Sequence, residues 1–280
     1  MQKILVIIVV IAISFCGCTQ FHGDSSVTNE DNPSVKTTID EDDSSEYDQD
    51  DSSEEIIIVE DATYKLIDTK YEEGAISINY PQILGMKDLN LQDEINSILE
   101  KDAIDNIEFF LSDKNLKQYE LTYIIHLQSE RVFSVQYDRF ISSEMESHPQ
   151  NDSFSTNIDM LNAKRITLTD LIIESDKLFD LLDSGAFQIS EYDIIFTKDQ
   201  AVSILEEHNE WSEKKSFKNV YQKSDIIEGG LQSELYSYLT NDSLGMIFEL
   251  ALVQGSHMSI EMKYSDLRDV LVKSLLVRDS

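Results

Sequence analysis

The sequence predicts an α+β fold: two small subdomains of antiparallel hairpins packed by helices, after a disordered acidic tether. Three observations carry that expectation. Apolar residues switch repeatedly between a period of two and a period near 3.6. The β-rich runs come in neighbouring pairs joined by short polar turns, which favours α+β over a regular βαβ sheet. Residues 19–55 are dominated by Ser, Asp, Glu, Asn and Thr and cannot supply a core.

The first eighteen residues read MQKILVIIVVIAISFCGC. Lys3 is a positive n-region, Ile4 to Phe15 is an apolar h-region broken only by Ser14, and Cys16-Gly17-Cys18 follows. This is the layout of a secretory signal, and the cysteine at its end makes it resemble a bacterial lipoprotein signal. The apolar run is too short to span a bilayer, which takes about 20 residues. Cleavage before Cys18 would leave residues 1–17 as signal peptide and a diacylglyceryl group on the Cys18 thiol. Several acyl chains hold a protein on a membrane where one holds it only marginally. Cys16 leaves with the signal and Cys18 is consumed, so no disulfide and no thiol metal site is expected.

Residues 18–61 are read as the tether. Between 24 and 55 stand thirteen acidic residues against Lys36 alone. Such a segment cannot bury enough apolar surface to offset its ordering entropy. Fully extended, the tether reaches roughly 150 Å; as a flexible coil it spans about 35–40 Å. Calcium binding of EF-hand type is not expected, because the loop register needs Gly at its sixth position and a loop opening at Asp40 puts Ser45 there.

The remainder divides into an N-terminal α+β subdomain, 62–165, and a C-terminal one, 166–280. Ile56–Val59 and Ala75–Tyr80 read as strands, the second stopped by Pro81. Leu91, Ile95, Ile98, Leu99, Ala103, Ile107, Phe110 and Leu111 recur at three- and four-residue steps, so a helix runs from Leu89, capped by Asp88. Tyr119–Leu127 and Val132–Ser142 form a hairpin about residues 128–131, and Phe154–Leu161 adds a strand. A second helix opens at Thr167 and runs to about Leu182; a third covers 198–215. Tyr236–Leu239 and Met246–Val253 form a second hairpin, Met258–Tyr264 a strand, and Asp266 to Leu276 a closing helix burying Leu267, Val270, Leu271 and Leu275.

Formal net charge is −32, and residues 56–280 alone carry 41 acidic against 20 basic residues, or −21. A nucleic-acid partner is excluded, since that needs a basic footprint. Docking flat on anionic lipid is disfavoured too, whereas a cationic partner is favoured.

No cofactor and no enzymatic activity are expected. The histidines are His22, His126, His148, His208 and His257, with no HExxH spacing. His208 stands alone among acids, short of the three or four ligands of a zinc site. Gly255-Ser256-His257 lacks the second Gly of a nucleophile elbow and marks a turn; Gly229-Gly230 has no phosphate-loop context. Trp211, the only Trp, reads as a core plug, with a binding anchor as the alternative. His148 and Asn151 are the candidate ligand contacts, on a loop fixed by Pro149; the same pair could instead pin the loop through backbone hydrogen bonds.

Several segments carry a family resemblance. They are Asn79-Tyr80-Pro81-Gln82 with the following helix, His148-Pro149-Gln150-Asn151 with Asp159, Lys164 to Leu171, the hairpin Tyr238 to Asp242, and Ile260 with Tyr264 to Leu267. Over roughly residues 62–276 the chain resembles a paired domain of unknown function, found in the extracellular part of RsiV-type anti-sigma factors and in the N-terminal, non-catalytic region of PdaC-type peptidoglycan deacetylases. Two positions depart from the pattern: Ala163 stands where Gly is usual, with Asn162 beside it able to turn left-handed, and Lys263 replaces a frequent Pro. RsiV-type ectodomains bind lysozyme, so the resemblance implies a cationic lysozyme-like partner. The sigma-binding segment and the deacetylase domain are both missing from this sequence, so neither of those roles is expected. The expectation is a non-enzymatic binding module, lipid-anchored through Cys18 on the extracytoplasmic face of a cell membrane. The alternatives are a module for cell-wall glycan, with peptidoglycan as partner, and a wall-acting enzyme of unknown class.

Overall fold

Pro81 lies inside a strand that it was expected to end, and the reason defines the first sheet. The computed structural model describes residues 62–272 apart from 105–106, 146, 192–194, 208–212, 229–230 and 252–253. The signal peptide, Cys18, the tether, Ile56–Val59, His208, Trp211, Gly229-Gly230 and Leu275 lie outside the described residues. β1 (Lys65–Glu73) and β2 (Ile76–Leu84) form an antiparallel pair in which Asp68 faces Pro81. On its other side β2 pairs, in parallel, only from Ile76 to Ile78 with β3 (Leu116–Gln128). Further along, the Ile83 N–H and C=O turn away from β1 to the Asn96 side chain. Pro81 has the same parity as Ile83, so its missing N–H falls on a flank with no ladder to break.

β3 continues into β4 (Val132–Ser143) through the expected hairpin, and β5 (Gln150–Asp159) and β6 (Lys164–Arg165) complete an ordered six-stranded sheet, β1-β2-β3-β4-β5-β6. One face is covered by α1 (Leu89–Ile104), whose Gln92, Ile95, Leu99, Asp102 and Ala103 are buried. Asp88 caps it, its carboxylate accepting from the N–H groups of Asn90 and Leu91 at 3.0 and 3.2 Å. A separate turn of helix, α2 (Glu108–Leu111), follows. Ala163 itself, not Asn162, is left-handed in the β5–β6 turn, with φ of +48°.

The single helix expected over 167–182 is two. α3 (Leu168–Leu171) closes under a Thr167–Asp170 capping box, Ile172 is extended, and α4 (Ser175–Asp183) begins afresh. The break has a cause: the Ile172 carbonyl accepts the Tyr221 hydroxyl at 2.6 Å, while the Ile173 N–H donates to the Val270 carbonyl. Two β-branched residues in succession favour this extended state. The same contacts correct the C-terminal expectation. Tyr264 to Val270 is a series of turns rather than a helix, and Leu271 bridges to Ile172. Leu267, Val270 and Leu271 are buried as expected.

The helical stretch 198–215 resolves into α5 (Lys198–Glu207), before 208–212, and α6 (Lys214–Gln222). The second sheet takes β7 (Gln188–Ile189), β10 (Leu235–Leu239), β11 (Ser243–Glu249) and β12 (His257–Lys263) in the order β10-β11-β12-β7; β8 (Ile227–Glu228) and β9 (Leu231–Gln232) pair separately. Strand residues alternate between faces. Leu235, Leu239, Leu244, Met246, Phe248, Met258, Ile260 and Met262 pack with α3 to α6 in one core, and α1 with the first sheet makes the other. Each fully buried large side chain contributes about 1.5–3 kcal/mol.

The free edge of β10 is not left open. Ser155 Oγ and Asn157 Nδ2 donate to the Ser237 carbonyl at 2.6 and 2.7 Å, and the Leu239 N–H donates to Ser134 Oγ at 2.9 Å. Side chains from β4 and β5, on the face away from α1, therefore substitute for a neighbouring strand and protect an edge that could otherwise pair intermolecularly.

Candidate binding cleft

Tyr238, Gly245, Glu261 and Gln188 occupy one cross-strand row of the second sheet. A Cβ at Gly245 would stand 2.1 Å from Tyr238 Cζ, so the ring uses the space that a side chain would fill. It reaches past the middle strand, and its hydroxyl comes 3.0 Å from Glu261 Oε1 and 2.8 Å from Ser190 Oγ. Ser190 Oγ in turn lies 3.1 Å from the same Oε1. Tyr238 thus donates to Ser190 Oγ and Glu261 Oε1 as a shared proton, and Ser190 donates on to the same Oε1, so both hydroxyls anchor one oxygen of a buried carboxylate.

His126, from β3, stacks on Tyr238 with ring centroids 3.9 Å apart and planes 19° from parallel. Its Nε2 is 2.9 Å from Gln136 Oε1, an acceptor, which assigns the proton to Nε2. Burial lowers the pKa of His126, opposed by the Gln136 hydrogen bond and by the charges of Glu261, Asp138 and Glu191. At the β10–β11 turn, Lys263 Nζ meets Asp242 Oδ2 at 2.7 Å. That bond, with those from Ser243 and Thr240, lowers the Asp242 pKa.

These groups surround an open cleft of about 560 Å³, lined by His126, Gln188, Ile189, Glu191, Thr240, Asn241, Asp242, Glu261 and Lys263. Its size suits a ligand-sized group, while its lining is more polar than that of an ordinary small-molecule pocket. No group of three or more His, Cys, Asp or Glu among the described residues is placed to hold a metal ion.

A serine, a histidine and an aspartate do meet elsewhere, between the sheets, in an arrangement that does not activate the serine. Ser153 Oγ donates to Asp138 Oδ1 at 2.6 Å, and His257 Nε2 lies 3.2 Å from Ser153 Oγ. With the hydroxyl proton committed to Asp138, the imidazole can only donate, whereas a general base must accept. The buried Nδ1 of His257 has no hydrogen-bond partner, so no carboxylate orients the ring. The void beside it, about 10 Å³, has room for one water.

The candidates named from sequence stand apart from the cleft. His148 is exposed in the β4–β5 connection, and Asn151 is exposed near the start of β5, facing Phe140 across the ladder. Gly255-Ser256-His257 is a turn, as expected, with φ of +115° and +75° at its first two residues. Glu261, Glu191, Gln188 and His126 were not singled out as a site by the sequence. The available signal was Gly245 within an apolar strand pattern, which marks a close approach.

No protein-family model matches the chain, and no curated protein matches it in sequence. Solved structures do. A member of the DUF3298 family from Bacteroides fragilis is 12% identical, with 75% of this chain and 94% of that one covered and a TM-score of 0.44. A DUF3298 family protein from Pseudomonas aeruginosa is 10% identical, with 78% and 98% covered and a TM-score of 0.47.

Proposed function

We propose that this chain is a non-enzymatic binding module, anchored by a lipid on Cys18 at the extracytoplasmic face of a cell membrane, and that its partner is a cationic protein of lysozyme type. The cleft carries this reading: Glu191, Asp242 and Glu261 face it, and its one lysine is already paired with Asp242. The charge of −21 over residues 56–280 would steer a basic partner toward it. A glycan reading has less support, since glycan sites present exposed aromatic platforms and Tyr238 is fully buried.

The test is calorimetric titration of residues 18–280, with Cys18→Ser, by a c-type lysozyme at low and high salt. Binding that weakens as salt screens the charges is the expected result. Absence of binding at both salt concentrations would overturn the lysozyme reading and leave wall glycan as the ligand to test. Anchoring is tested separately: Cys18→Ser should move the full-length protein from the membrane to the soluble fraction.

A further inference from the structure

Glu261 is 9% exposed, and its two carboxylate oxygens are treated differently. Oε1 takes the hydroxyls of Tyr238 and Ser190; among the described residues Oε2 takes no hydrogen bond, and the side chain lines the cleft. Oε2 opens on the cleft rather than being sealed, so solvent can satisfy it when the cleft is empty and a cationic donor can take its place. Among the described residues the cleft offers Oε2 no donor of its own: Lys263 is held by Asp242, and the protonated nitrogen of His126 is turned to Gln136. We propose that the cleft receives one side-chain cation, a guanidinium or an alkylammonium, from a basic partner, and that Glu261 Oε2 is the acceptor. The inference rests on the binding reading above and assigns the contact that carries it.

The chemistry narrows the ligand. A metal ion needs several ligands at short range, which the described residues do not provide. A cleft of about 560 Å³ fits a larger organic cation, with Glu191 on its rim. Tyr238, Ser190 and the Glu261–Gln188 pairing hold the acceptor in place before binding, so little side-chain freedom is lost on capture.

The test is an NMR titration of the Cys18→Ser protein, residues 18–280, with N-acetyl-arginine amide, N-acetyl-lysine amide and the neutral isostere N-acetyl-citrulline amide. At least one cationic probe should perturb the Gln188, Glu261 and His126 signals, and citrulline should bind about tenfold more weakly or not at all. Guanidinium against ammonium is decided by which cationic probe binds more tightly. Glu261→Gln should abolish the perturbation, whereas Asp266→Asn, an equal charge change on an exposed turn, should leave it intact. Should Glu261→Gln fail to fold, Glu191→Gln on the rim should still weaken binding severalfold. Equal binding of citrulline, unchanged binding by both cleft variants, or no cationic probe binding at low salt would each overturn the proposal. Lysozyme binding undiminished by Glu261→Gln would overturn the cleft contact alone and leave the broader reading standing. Arginine binding without lysozyme binding would do the reverse.

Discussion

The hydroxyl of Tyr238 reaches Glu261 Oε1, 3.0 Å away, across a strand that has no side chain at the crossing point. Gly245 is that point, and its own φ is not left-handed. The glycine is therefore required for space, not for backbone freedom. Gly245→Ala should force the ring aside and destabilise the protein by about 1–3 kcal/mol, the range for overpacking a core. Chemical denaturation measures this. Gly245→Ala with Tyr238→Ala should cost less than the sum of the two singles, because the three atoms nearest the added Cβ all belong to that ring; a double variant that costs the full sum would refute the account.

Ala163 presents the opposite case. It holds φ of +48° with a Cβ, a conformation that costs an L-residue about 1–2 kcal/mol. Ala163→Gly removes the strain, but it frees the unfolded chain and deletes a methyl packed on the first core. The net expectation is stabilisation by roughly 0.5–1 kcal/mol, read as a raised denaturant midpoint at constant slope. An unchanged or lowered midpoint would show that the turn is relaxed with Ala in place.

How much of this was legible follows from where each signal resides. The Asp88 cap, the α1 stripe as far as Ala103 and the β3–β4 hairpin are local patterns of side chains on one chain segment, and they appear where the periodicity put them; the helix expected to reach Leu111 ends at Ile104, and Phe110 and Leu111 stand on α2. β1 was missed because KLIDTKYEE is an edge strand with little burial on either face, so no alternation marks it. The helix break at Ile172 is imposed by Tyr221 and Val270, distant in sequence, on a segment whose own pattern continues smoothly. The cleft was invisible for the same reason on a larger scale. His126, Gln188, Asp242 and Glu261 come from four separate segments, and only strand register brings them together.

Asp225 makes stability depend on pH in a predictable direction. It is buried, with φ of +59°, and accepts from the Leu168 N–H and from the backbone and hydroxyl of Ser237. Burial pushes its pKa up to about 7 against the pull of those donors. The native state therefore holds this proton more tightly than the unfolded chain, whose Asp titrates near 3.9. The contribution is fully present below about pH 4 and is lost as pH rises through 7, on the order of a few kcal/mol. Asp225→Asn should lower stability overall, since an amide offers one acceptor oxygen to donors reaching both, and should flatten the decline between pH 4 and 7. Denaturation series of both proteins across that window decide it; parallel pH profiles would sink the assignment.

Asp102 and Arg165 form an ion pair whose two ends are not equivalent. The Asp102 side chain is 1% exposed and that of Arg165 36%. Asp102 accepts from two Arg165 nitrogens, Nη2 and, at 3.1 Å, Nε, and from Thr156 Oγ1 at 2.8 Å, joining α1 to β5 and β6. Removing one partner costs mainly what it takes to leave the other charge unpaired. Arg165→Ala strands a carboxylate inside the first core and should cost about 3–5 kcal/mol. Asp102→Asn leaves a guanidinium that can turn to water and keeps an acceptor for Thr156, so it should cost clearly less. Arg165→Lys should recover only part, because an ammonium cannot reproduce the planar fork. The ranking, read from denaturant midpoints of the three variants, is the test. Equal losses for Arg165→Ala and Asp102→Asn would mean that the cost lies in the broken link between helix and sheet, and not in the buried charge.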